Sequence, residues 1–234
     1  MLREQGVSII RLHHGVALLR EVAAVARQGW LIPQVTNGLR EHGASEHLVV
    51  FVHGYFASNG VFEPMARHLA VQGLAPRQLH FNYVPAGSIA GHAVRLRSAI
   101  ERVYTHGPVH IIAHSLGGLI ARYYAQLLGG RMDALVAIAT PHQGTRRAEG
   151  WPLGLARELR PQSSTLRVLD ASRGRVDGKR VTSVVASEDV LVTPHSASLE
   201  GSRVIPVDGV GHHGVLFDRR AWQVVEDLLT TARP

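Results

Sequence analysis

The chain has no cysteine in its 234 residues. Disulfides, thiolate metal sites and a cysteine nucleophile are therefore excluded. Aromatic residues make up only 6% of the total, so a core must be built mainly from Val, Leu, Ile and Ala. No stretch reaches the ~18 uninterrupted apolar residues of a membrane-spanning helix. The N-terminal "MLREQGVSIIRLHHGVALLREVAAVARQGW" also lacks the pattern of a secretory leader. Glu4 stands where basic residues are expected, and Arg11, Arg20 and Glu21 interrupt the apolar parts. Internal repeats, low-complexity tracts and a Pro/Gly/Ser-rich linker are missing too. These absences lead to the expectation of a globular protein of the cytoplasm.

The remaining composition is that of an ordinary globular domain, 45% hydrophobic and 18% charged. The formal charge of +7 is spread along the chain, densest at Arg146-Arg147 and in "SRGRVDGKR" from Ser172 to Arg180. These runs are too short, and too poor in aromatics, for a nucleic-acid module, so a solvated basic surface is expected.

Two parts are expected: a helical extension over residues 1–46 and one domain over 47–234. In the extension Ile9, Leu12, Val16, Leu19, Ala23 and Ala26 recur at helical spacing, opposite His13, Arg20 and Arg27. A helix packed on the domain is the more frequent outcome of such a pattern. The other is a basic amphipathic helix making peripheral contact with a membrane. The following "LIPQVTNGLREHGASEH" reads as loop.

From His47 onwards strands and helices alternate. "HLVVFVHG", "QLHFNYV", "PVHIIAHS", "ALVAIATP", "VTSVVAS" and "RVIPV" read as strands. "VFEPMARHLAVQG", "SIAGHAVRLRSAIERVYTHG" (capped by Ser88), "LGGLIARYYAQLLGG" and "DRRAWQVVEDLLTTARP" (capped by Asp218) read as helices. Such alternation forces crossovers between parallel strands. The fold class is therefore α/β, a mostly parallel sheet with helices on both faces. Ligands of such sheets bind beyond the carboxyl ends of the strands.

Ser115 falls at one of these ends. A strand running straight into a helix must turn sharply, and its apex residue projects clear of the sheet. Ala113 and Gly117 are the small neighbours the turn needs, an A-x-S-x-G version of the nucleophile elbow. A serine hydroxyl needs a base to take its proton, and that base needs an orienting carboxylate. The order expected in this architecture is serine, acid, histidine, each just past a strand. Asp189 is the favoured acid, with Glu188 as the backup; Asp208, within the same loop as the base, is weaker. His212 is the favoured base, and its neighbour His213 is read as solvent-facing or pocket-lining. The oxyanion donors are the N–H groups of Leu116, at the helix start, and Tyr55, after Gly54. His53 reads as structural, bonding within its own loop.

With these pieces in place, the chain resembles the α/β-hydrolase superfamily, and within it the lipase and esterase group. The resemblance rests on "VFVHGYFASNGVFEPMARHLA", "VHIIAHSLGGLIARYYA", "IATPHQGT", "VVASEDVLVTPHSA" and "VDGVGHHGVL". It covers His47 to the C-terminus and implies Ser115 as nucleophile, Asp189 as acid, His212 as base, and Tyr55 and Leu116 as the oxyanion hole. It also implies a cap inserted between His142 and Gly178, where this chain has room for a minimal one. In "GWPLGLARELRPQSSTLRVLD", Trp151, Leu153, Leu155 and Leu159 would either contact an acyl chain or pack on the sheet.

The activity expected is hydrolysis of a carboxylic ester, with a small-molecule ester or lipid as substrate and neither metal nor organic cofactor. A thioesterase, acyltransferase, amidase or phospholipase would use the same residues. A non-catalytic scaffold would be expected to have lost one of the three. A histidine metal site is set aside, because His13-His14 and His212-His213 are adjacent pairs whose side chains point apart.

Overall fold

The computed structural model describes residues 21–27, 29–30, 38–43, 46–103, 106–150 and 154–231. Ile9, Leu12, Val16 and Leu19 of the extension, and Trp151 and Leu153 of the cap, lie outside them.

Seven strands form one sheet in the order β1-β3-β2-β4-β5-β6-β7. They are β1 (Gly38–Glu41), β2 (Leu48–Val52), β3 (Arg77–Phe81), β4 (Val109–His114), β5 (Ala134–Ile138), β6 (Val181–Ala186) and β7 (Arg203–Val207). β1 pairs antiparallel with β3, and the other neighbours are parallel. The helices are α1 (21–27), α2 (Glu63–Val71), α3 (Ile89–Val103), α4 (Leu116–Leu128), α5 (Leu155–Glu158), α6 (Ser164–Ala171), α7 (Pro194–Ala197) and α8 (Arg219–Thr231).

Alternate strand residues feed two separate cores, as the period of a pleated strand requires. On one face Val50, Val52, Ile111, Ala113 and Leu135 pack with Leu96 and Ile100 of α3 and Leu119 and Ile120 of α4. On the other, Val49, Phe51, Ile112, Val136 and Val184 pack with Met65 and Leu69 of α2 and Val225 and Leu229 of α8. Burial on both faces explains why these strands read as continuous apolar runs.

Ser88 caps α3 through a 3.0 Å bond from the Gly91 N–H. Asp218 accepts the Arg220 N–H at 2.9 Å at the start of α8. The expectation of loop for the segment before His47 is corrected at residues 38–41. β1 pairs Gly38 with His80 through Glu41 with Arg77, so the sheet begins at Gly38. A four-residue strand with one apolar residue facing the core, Leu39, carries too little periodicity to be read in advance.

The strand order reverses between β2 and β4: the chain leaves β2 for β3 on one side and β4 for β5 on the other. A crevice opens at the carboxyl ends of strands at such a switch point. Tyr55 lies just beyond β2, and Ser115 directly beyond β4.

Candidate active site

Ser115 has φ 51° and ψ −123°, in a region that non-glycine residues seldom occupy. Such a conformation costs on the order of 1–3 kcal/mol and must be held by its surroundings. The Ser115 N–H donates to the Ile138 carbonyl at 2.9 Å, and its own carbonyl accepts the Gly118 N–H at 3.0 Å. The glycines after it admit the close packing this turn needs. A Cβ on Gly117 would lie 2.3 Å from the Val52 carbonyl oxygen, and one on Gly118 would lie 2.1 Å from Thr140 Oγ1. Gly54, on the loop above, would put a Cβ 2.9 Å from His114 Nδ1 and 3.1 Å from Ser115 Cβ. Thus "HSLGG" and "HG" are small for separate reasons at each position.

Asp189 follows β6, and its two carboxylate oxygens have different partners. Oδ1 accepts the N–H groups of Leu191 and Val192, both at 2.8 Å. Oδ2 is 2.7 Å from His212 Nδ1. Both side chains are nearly inaccessible, 1% exposed for Asp189 and 5% for His212. Glu188, the alternative acid, instead ties the two loops together by its backbone, with its N–H donating to Val210 O at 3.0 Å.

His53 bonds within its own loop, as expected. Its Nε2 accepts the Tyr83 N–H at 3.1 Å, so Nδ1 must carry the proton donated to the Gly54 carbonyl at 2.8 Å. Burial is the main cause that pushes its pKa down, to about 4. The ring stacks on Tyr83 at 4.1 Å and has no bond to spare for chemistry.

His114 has a part that its position in the sequence did not announce. It is buried, and its Nε2 donates to the backbone carbonyl of His212 at 3.0 Å. Burial, reinforced by His212 and His213 nearby, pushes its pKa well below the ordinary value and keeps the ring neutral. The residue before the elbow serine thus holds the loop that carries His212.

Ser115, His212, His213 and Tyr55 line a single cavity of about 240 Å³. Pro141, Ala148, Ala156, Leu159, Leu191 and Val192 supply its apolar wall. Hollows of about 500 and 570 Å³ elsewhere contain none of Ser115, Asp189 and His212. Of the cap leucines, Leu155 and Leu159 both pack in the core, and Leu159 also lines the cavity. Hydrogen bonds tie this segment to the rest of the domain. Glu158 accepts the Ile89 N–H at 3.2 Å and the Thr165 hydroxyl at 2.7 Å, and the Thr145 hydroxyl donates to Leu191 O in the acid loop. Among the described residues, no three His, Cys, Asp or Glu side chains converge to hold a metal. Nor is any helix among them long and apolar enough to cross a membrane.

A serine at a strand–helix elbow and an Asp–His pair beyond β6 and β7 thus stand at the carboxyl ends of one doubly wound sheet. A family model described as the alpha/beta hydrolase fold matches residues 47–160. The chain has the α/β-hydrolase fold. Among solved structures it is similar to the mature form of the Bacillus licheniformis lipase BlEst2, with a TM-score of 0.69 and 15% identity over 83% of this chain and 99% of that one. Aspergillus fumigatus lipase B is similar with a TM-score of 0.64 and 19% identity, covering 84% of this chain and 57% of that one. A Paleococcus ferrophilus monoacylglycerol lipase gives 0.59 and 16%, covering 84% and 97%. At these identities the likeness is one of fold.

Proposed function

We propose that this protein is a serine carboxylic-ester hydrolase, an esterase or lipase working through an acyl-enzyme. The observation that carries the reading is the buried 2.7 Å Asp189–His212 pair, whose imidazole shares one cavity with Ser115. Asp189 Oδ2 holds the proton on His212 Nδ1, which leaves Nε2 as the base. His212 takes the Ser115 proton as Oγ attacks the ester carbonyl. The tetrahedral oxyanion is received by the N–H of Leu116, at the positive end of α4, and that of Tyr55. His212 then protonates the departing alkoxide. Water, deprotonated by the same imidazole, attacks the acyl-enzyme and releases the acid. Ser115 leaves as it began, so neither metal nor organic cofactor is required.

The cavity is smaller than the ~300–1,000 Å³ of pockets that enclose drug-sized ligands, and its wall is apolar. A short acyl chain fits this volume better than a long one. The test is hydrolysis of p-nitrophenyl esters from acetate to palmitate, with Ser115→Ala alongside. A kcat/KM larger for butyrate than for palmitate, and lost in Ser115→Ala, is the expected result. Activity that survives the substitution would contradict the assignment of Ser115, and a palmitate optimum would contradict the short-chain reading.

A further inference from the structure

α1 lies ahead of the segment that matches the hydrolase family, yet one of its side chains reaches the loop that carries His212. Glu21 Oε1 accepts the His213 N–H at 2.9 Å and lies 2.8 Å from His213 Nδ1, while Oε2 accepts the Gly214 N–H at 3.0 Å. One carboxylate therefore grips the two backbone N–H groups that follow His212, and also the neighbouring imidazole. The loop is shaped to receive it. A Cβ on Gly211 would come within 2.5 Å of Glu21 Oε2, so glycine is what lets the carboxylate lie this close. Two further contacts seat the helix: Ala24 is buried, and the Arg27 guanidinium lies over the Phe217 ring at 4.6 Å.

We propose that Glu21 is a positioning residue for ester hydrolysis: it fixes the backbone on the C-terminal side of His212. This rests on the reading of His212 as the base. His114 holds the His212 carbonyl from the sheet side, and Glu21 holds the next two N–H groups from outside. The imidazole is thus braced on both sides, and Asp189 orients the ring between them. Glu21 also stays ionised. Burial alone would raise its pKa, but the bonds from the His213 side chain and from the His213 and Gly214 N–H groups outweigh it and bring it below the ordinary value. His213 is the titratable group facing this carboxylate.

The test uses the full chain with Glu21→Ala, Glu21→Gln and Arg27→Ala. Three readouts are taken: kcat and KM on p-nitrophenyl butyrate, the rate of Ser115 modification by a fluorophosphonate, and the low-field proton signal of His212 Nδ1–H. Glu21→Ala is expected to lower kcat and the modification rate at least tenfold with KM within twofold, and to broaden the proton signal. Glu21→Gln keeps an oxygen for the His213 N–H but turns an amide N–H₂ toward Gly214, so it should fall between Glu21→Ala and wild type. Arg27→Ala, which removes the helix's contact to Phe217 at the far end of the same loop but leaves the Glu21 bonds, should stay within twofold of wild type. Glu21→Ala with wild-type kcat and an unchanged proton signal, whatever its melting temperature, would overturn the proposal. So would Arg27→Ala falling as far as Glu21→Ala, since any undocking of α1 would then suffice. A wild-type protein inert to both ester and fluorophosphonate would sink the hydrolase reading instead. The proton signal would still report whether Glu21 orders the base loop.

Discussion

Asp189→Asn is expected to lower kcat about 10³- to 10⁴-fold while the protein stays folded. The asparagine carbonyl can keep the two 2.8 Å bonds from Leu191 and Val192, so the turn after β6 retains its internal support. What changes is the atom facing His212. An amide N–H₂ replaces Oδ2 and can only donate, which forces His212 Nδ1 to accept and moves the ring proton to Nε2. That nitrogen is the one that should remove the Ser115 proton, so the residue stays in place but holds the wrong tautomer. KM should change little, because Asp189 does not line the cavity. Glu188→Gln is the companion control and should leave kcat within twofold. Steady-state kinetics on p-nitrophenyl butyrate, with circular dichroism to confirm folding, decide it. Loss of activity in Glu188→Gln with Asp189→Asn unaffected would reverse the assignment of the acid.

Mild acid is expected to destabilise the fold through its buried histidines. His53, His80 and His110 are 1%, 1% and 3% exposed, and burial is the main cause that pushes each pKa down to about 4. In the unfolded chain they return to the ordinary value near 6.5. Below that pH the unfolded state binds protons the folded state refuses, so stability falls as pH drops from about 6.5 towards 4. At pH 5 each group costs about 2 kcal/mol, at ~1.36 kcal/mol for each unit of pKa difference. Three such groups together rival the ~5–15 kcal/mol that holds a typical domain folded. His114 and His142, also buried and depressed, act in the same direction. Glu21, Glu63 and Asp133, whose pKa values are lowered, stabilise the fold above the ordinary carboxylate range and lose that effect only at still lower pH. The urea midpoint should therefore drop steeply between pH 7 and pH 5. A flat midpoint across that range would contradict the neutral-histidine interior.

Much of this architecture was legible because its signals are local. Four of the parallel strands, β2, β4, β5 and β6, are buried along their whole length and so read as apolar runs, and the elbow announces itself through small residues around Ser115 between a strand and a helix. Asp189 and His212 could be chosen from order and position, since each lies a few residues past a strand. What stayed hidden depends on contacts between distant parts of the chain. Glu21 and His213 are 192 positions apart, and an acid inside an apolar helical pattern looks only like an interruption. His114 looked like a neighbour of the serine because its bond runs to a carbonyl 98 positions away. β1 was missed because it is short and exposed enough to carry almost no pattern. Leu155 and Leu159 are chemically alike, and only their places in the fold make Leu159 line the cavity as well as the core.

The central claim is that the Ser115 hydroxyl is a nucleophile activated by the Asp189–His212 pair. The most direct measurement is intact-protein and peptide mass spectrometry after brief exposure to a fluorophosphonate. One adduct per chain, mapped to Ser115 and absent in Asp189→Asn over the same interval, is the result predicted. No adduct, or one on another residue, would contradict it.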